Sequence, residues 1–192
     1  LALVDAQPCR PFDIARNGIS IGEAAGFALL ERGSGALNLL GYGESSDAHH
    51  MSTPHPEGLG AEHALNDVLA RAGIGTDAID YINLHGTASE KNDEVEAALI
   101  ARRFNSQVRA SSTKGYTGHT LGAAGIVEAA ISLLAIETGV MPGTVNTQML
   151  DPICGPQIHL RTAAGKVRRA LSNSFGFGGN NCVLVFGAGD SV

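Results

Sequence analysis

The spacing of apolar and polar positions changes several times along the chain, and each change predicts an element. Leu65, Val68, Leu69 and Ala72 recur at i, i+3, i+4 and i+7, the apolar stripe of an amphipathic helix that Gly73 and Gly75 bring to an end. Upstream, ISIGEAAGFALLE (19–31) is an apolar run closed by a charge, which predicts a buried strand over Gly26–Glu31. ALNLLGYGESSDA (36–48) repeats the arrangement as a strand and then a Gly/Ser loop. His49, His50 and His55, interleaved with Pro54 and Pro56, continue that loop. AIDYINLH (78–85) predicts a strand that delivers His85 at its C-terminal end. A helix follows from about Asp93 to Phe104, with Asp93, Glu94 and Glu96 in its first turn, where the helix dipole favours carboxylates.

VRASST (108–113) predicts a short strand, and Leu121–Ile136 is apolar on every face except at Glu128 and Ser132. A helix apolar all round is expected to be buried all round. Its small residues Gly122, Ala123, Ala124 and Gly125 predict close approach of neighbouring backbone. RALSNS and NNCVLVF read as two strands joined by FGFGG, a glycine turn that tolerates positive φ. Strands alternating with helices predict an α/β layered architecture, without internal repeats.

Composition narrows the function. With 44% hydrophobic and 17% charged residues, the chain reads as a globular domain, not a disordered tail. A net charge of −6 disfavours nucleic acid, which needs clustered Lys and Arg; Lys166, Arg168 and Arg169 read as a solvated strand edge or turn. Cys9, Cys154 and Cys182 are too scattered for a disulfide framework or a CxxC metal site, so a reducing cytoplasm fits best. No uninterrupted apolar run reaches the roughly 18 residues of a membrane span, and no membrane association is expected. The chain opens Leu-Ala-Leu-Val with neither Met nor a signal pattern, and is expected to be the interior of something longer.

Candidate chemistry gathers in glycine-rich loops. His85 leaves a strand in HGTAS and His119 enters the apolar helix in TGHTLG, each beside small hydroxyl residues. Either imidazole alone fits a hydrogen-bonded structural role or a catalytic one, and loops at strand ends are where α/β proteins collect their sites. Glu128, buried in the apolar helix, must be paired or neutral, and Lys114 is its obvious partner. That pair reads as structural, as backing for His119, or as both. FGFGGNN offers backbone N–H groups for an oxyanion; the strand that follows it disfavours a dinucleotide loop, which needs a helix there. His49, His50, His55 and His63 lack a matching carboxylate or Cys set, so no metal site is expected.

Three long motifs in order, HGTAS-x-x-ND, STKGYTGHTLGAAG and NSFGFGGNN, resemble the second half of a β-ketoacyl-acyl-carrier-protein synthase, an elongating condensing enzyme of fatty-acid and polyketide synthesis. RPFDIARNGISIGEAAGFALLE (10–31) and GESSDAHHMSTPHPEG (43–58) resemble stretches near that family's midpoint, so the resemblance covers the whole chain. It implies an α/β thiolase-like layered fold with helices around a five-stranded mixed sheet. Residues 1–40 would be the end of the N-terminal half, including its last strands, and 41–192 the C-terminal half.

The resemblance also implies roles. His85 and His119 would be the active-site histidines that stabilise the charge formed when a malonyl thioester loses CO₂, with Lys114 and Glu128 as an ion pair around the second of them. Thr87 and Ser89 would contact the pantetheine and malonyl part of the substrate, and His50 and Ser52 would line the passage of the same arm. Phe177 would be the gating phenylalanine whose backbone N–H serves the oxyanion hole of the acyl thioester. No cofactor is expected beyond the phosphopantetheine arm of acyl carrier protein, and acyl carrier protein, the missing N-terminal half and a second copy in a homodimer would be the partners. The sequence departs from the family at Glu90, where Pro is common, at Ser89, where Thr is usual, and at Gly115-Tyr116. The family's nucleophilic Cys at a helix start has no counterpart among Cys9, Cys154 and Cys182, so the chain alone is expected to be inactive. The alternatives are a non-catalytic chain-length-factor-like partner of a heterodimer, disfavoured because both histidines are present, and a thiolase-like degradative enzyme, disfavoured because Cys182 runs into a strand.

Overall fold

The stripe at Leu65, Val68 and Leu69 lies on the buried side of helix α1 (Leu59–Ala72). Gly73, at φ 66°, ends the helix: its N–H and that of Ile74 cap the carbonyls of Ala70 and Leu69 at 3.2 and 3.1 Å. In the computed structural model, which describes residues 3–33 and 35–189, α1 rests on strand β1 (Leu37–Ser46). Two glycines of β1 make room for it, since a Cβ at Gly43 would lie 2.0 Å from the carbonyl oxygen of Ala64 and one at Gly41 2.9 Å from that of Val68. The expected domain boundary between residues 40 and 41 falls inside this strand.

The remaining elements are β2 (Tyr81–Asn83), α2 (Glu90–Arg103), β3 (Arg109–Ser111), the single turn α3 (Lys114–Thr117), α4 (Ala124–Thr138), the short pair β4 (Val140–Met141) and β5 (Ala163–Ala164), β6 (Arg169–Gly176) and β7 (Asn180–Ala188). Five strands form one sheet in the order β1-β7-β6-β2-β3. β2 is parallel to both β3 and β6, whereas β7 is antiparallel to β6 and β1, so the sheet is mixed as expected. Alternation along the strands sorts the core. Ile82, Leu171, Val183 and Val185 pack with α1 and α2 residues on one face, while Tyr81, Ala170 and Phe186 pack with α4 residues on the other. Fully burying one such Leu, Val or Ile is worth about 1.5–3 kcal/mol.

Several expectations are corrected. Gly26–Glu31 forms no strand: Phe27, Leu29 and Leu30 are exposed, and no described strand lies beside the segment to supply a ladder. α2 starts at Glu90, not Asp93, so the first-turn acids are Glu90 and Asp93. Leu121–Ala123 is a separate 3-10 turn ahead of α4. α4 is buried only along Ala124, Glu128, Ala129, Ser132, Ala135 and Ile136; Leu134 is 53% exposed, and nothing stands within 4 Å of a Cβ built at Gly122. The stretch Leu121–Thr138 is long and apolar enough to cross a membrane. Here it packs on β6 and β7 and carries a buried, paired carboxylate, which is how a core helix sits.

Candidate active site

Parallel pairing of β2 with β3 matches Asn83 with Ser111, so the loops after both strands emerge at the same end of the sheet. His85 stands on the first loop, Lys114 just beyond the second. The His85 loop is gripped from beneath by two buried carboxylates of α2. Glu96 accepts the backbone N–H groups of His85 and Gly86 at 2.8 and 2.7 Å, and the Asn173 side-chain amide at 3.0 Å. Asp93 accepts the N–H groups of Thr87, Ala88 and Phe12 at 2.9, 3.1 and 2.8 Å. Ala88 is thereby held at φ +66°, an unusual conformation for a residue with a Cβ. Burial pushes the Glu96 carboxyl up to about 7, against those hydrogen bonds that favour its charged form. The sequence suggested only a helix-dipole role for these acids; their grip on the HGTA backbone depends on the fold.

The Lys114 side chain is 1% exposed, and its ammonium pairs with Glu128, donates to the carbonyl of His85 and lies 3.4 Å from Nδ1 of His85. An ammonium has no lone pair to offer, so Nδ1 of His85 must be the acceptor and Nε2 carries the proton. The cation therefore backs His85, not His119 as the sequence spacing suggested. His119 is fixed by other means. Its N–H donates to Ser20 O at 2.7 Å, its carbonyl accepts from Gly22 at 3.1 Å, and its Nδ1 accepts from the backbone N–H of Leu121 at 3.3 Å. Nε2 is again the protonated nitrogen. The rings of His85 and His119 meet edge to face with centroids 5.3 Å apart, and Phe175 stands 5.7 Å from His85 on another side.

Both imidazoles are held neutral. Burial, then the Lys114 charge, then His119 keep His85 well below the ordinary value, and burial with Lys114 lowers His119 to about 4. In the unfolded chain both rings take up a proton near pH 6.5. Between that value and the lower folded ones the unfolded state binds more protons, so stability is lost as the pH falls. Thermal denaturation from pH 7 to 4 is expected to show this loss, with a shallower pH slope in H119Q; an unchanged slope would contradict the assignment of His119.

Thr87 and Ser89 place their hydroxyls 2.8 Å apart at the start of α2, beside the His85 loop. Phe177, 65% exposed, sits on the turn between β6 and β7, where Gly178 and Gly179 adopt φ of +84° and +81°. That turn meets the loop carrying His50 and Ser52: Gly178 donates to Met51 O, and Asp47 donates to Gly179 O, both at 2.8 Å. The structure thus brings His85, His119, Lys114 and Glu128 together, with Thr87 and Ser89 adjoining. His50, Ser52 and Phe177 form a second group on the neighbouring loops. Phe175, next to His85, went unmarked in the sequence; the signal was the doubled Phe of FGFGG. Burial pushes the Cys154 thiol up to about 12 and raises that of Cys182, the reverse of an activated thiolate. Two neutral N–H donors on rings whose centroids lie 5.3 Å apart, in a largely buried setting, suit a developing oxyanion.

Comparison with known proteins gives a consistent result. Residues 37–148 match the model of the beta-ketoacyl synthase C-terminal domain. The chain is 44% identical over 94% of its length to a mitochondrial 3-oxoacyl-[acyl-carrier-protein] synthase of Arabidopsis thaliana, covering 42% of that protein. Among solved structures it superimposes, at TM-score 0.93 and 43% identity, on the complex of ketosynthase ApeO with its chain length factor ApeC from Xenorhabdus doucetiae, covering 97% of this chain and 48% of that one. A type II PKS acyl-carrier protein in complex with its ketosynthase, bound to the hexaketide, matches at TM-score 0.86 and 25% identity, over 98% of this chain and 51% of that one. The chain spans about half the length of the relatives it matches.

Proposed function

Since the chain belongs to the β-ketoacyl synthase family and has its thiolase-like α/β fold, we propose that it is the C-terminal portion of a condensing enzyme. That enzyme decarboxylates malonyl-acyl carrier protein and joins the resulting carbanion to an acyl group held on a cysteine. The observation that carries this reading is the facing pair His85 and His119, each with Nδ1 occupied and Nε2–H left to donate. As CO₂ leaves, the electron pair of the breaking C–C bond delocalises onto the thioester oxygen. Two neutral donors stabilise that charge without delivering a full proton that would quench the carbanion. Lys114 prevents His85 from taking a second proton, and Glu128 offsets the buried ammonium.

The nucleophile belongs to polypeptide beyond this chain, so 1–192 needs that remainder to act. Cys9 donates to the carbonyl of Lys114 within the packed interior, and the other two thiols are raised. Peptide mass spectrometry of the full-length protein, after exposure to an acyl donor or cerulenin, is expected to find the adduct outside residues 1–192. An adduct on Cys9, Cys154 or Cys182 would contradict the reading. Acyl carrier protein is the proposed carrier of both substrates, presenting phosphopantetheine past Thr87, Ser89, His50 and Ser52, with Phe177 as the gate. The partner is proposed to be a second chain of the same fold, a copy of this protein or a chain length factor as in the ApeO complex. Retention of both histidines favours the catalytic member of such a pair. A cytoplasmic place is proposed from the three free cysteines; the Arabidopsis relative is named as mitochondrial.

A further inference from the structure

His85 and His119 share a site but are anchored by unlike devices. Carboxylates inside the domain hold His85, whereas the main chain of His119, among the described residues, is bonded to the irregular segment around residues 19–22 in a parallel bridge centred on Ile21. At this contact two glycines meet. A Cβ on Gly22 would lie 2.1 Å from the carbonyl oxygen of Thr117 and 3.2 Å from Cα of Gly118. A Cβ on Gly118, which has φ +68°, would lie 2.8 Å from the nitrogen of Gly22. The segment is tied down at its other end too. Ser20 Oγ accepts the N–H of Cys9 at 2.9 Å, and the buried Cys9 thiol donates to the carbonyl of Lys114 at 3.2 Å. Cys9, bonded to the strap through Ser20, thus touches the backbone of Lys114, and the strap itself touches that of His119.

We infer that residues 19–22 are a strap that sets the place of the His119 imidazole, with Gly22 as its positioning residue. The inference rests on the decarboxylating role proposed for that site. Any side chain at residue 22 would force strap and turn apart by roughly 1 Å or more to reach an ordinary contact. A misplacement of about 1 Å in a reacting constellation costs on the order of 100-fold in rate. The strap's contact is with the turn that carries His119, so its effect is expected on the decarboxylation assigned to that ring.

The test is G22A in the full-length protein, with malonyl decarboxylation and His119 titration followed by ¹⁵N NMR. Decarboxylation is expected to fall on the order of 100-fold while acyl-enzyme still forms. The His119 titration should move up from about 4, as the ring leaves its buried place beside Lys114, a change that loss of stability alone would not produce in the folded fraction. If G22A does not fold, S20A decides: it keeps every strap backbone bond but frees the strap from Cys9, and the same readouts should shift the same way by about 2- to 10-fold. Unchanged titration and decarboxylation in the folded variant would overturn the strap. A wild-type protein without decarboxylase activity would instead overturn the functional reading, and the titration would still report on Gly22.

Discussion

Alanine in place of Lys114 or Glu128 is expected to cost the protein about 3–5 kcal/mol, because either change strands a buried charge. Both side chains are almost fully enclosed, and one oxygen of Glu128, Oε2, has no hydrogen-bond partner among the described residues. K114M/E128L removes both charges at similar volume, so its stability should return close to wild type. Catalysis should not return with it. Without the ammonium at Nδ1, His85 can take either tautomer and can accept a second proton, so decarboxylation stays low. Denaturant titration of the two single variants and the pair, with decarboxylation measured on the same samples, separates the two effects. Equal stability of K114A and wild type would show that the ion pair is not what fixes this corner, and full activity in K114M/E128L would remove Lys114 from the chemistry.

The sheet and its loops were largely legible in the amino-acid order, and the failures have physical causes. The run ending at His85, the strand before Lys114 and the FGFGG hairpin could be read because short apolar strands bounded by glycine and hydroxyl residues carry their own punctuation. The apolar run Gly26–Glu31 has the same local pattern, yet a strand needs a neighbour to share its N–H and C=O groups with, and none of the described strands pairs with it. Periodicity says how apolar a helix is but not what covers it, so the exposed side of α4 could not be foreseen. In the site, chain proximity misled. Lys114 is five residues from His119 and far from His85 in sequence, but the parallel register of β2 and β3 puts the loops after those strands side by side. The grip of Asp93 and Glu96 on backbone N–H groups has no signature in the sequence, because main-chain donors are common to every residue but proline.

Alanine at His85 or His119 would remove one of the two donors proposed to stabilise the forming enolate. Loss of a single oxyanion donor typically lowers the rate by about 10²–10³-fold. On the proposed reading the two rings act on one oxygen, so the double variant should be little worse than the poorer single one. In the proposed mechanism neither ring is the nucleophile, so acyl transfer to the proposed cysteine should stay intact. The decisive measurement on the full-length protein is therefore a pair of rates in H85A and H119A: release of CO₂ from malonyl-acyl carrier protein, and acyl-enzyme formation. The predicted result is CO₂ release down by about two to three orders of magnitude in both variants, with acyl-enzyme forming as in wild type. Undiminished CO₂ release, or loss of acylation in both variants, would contradict the account.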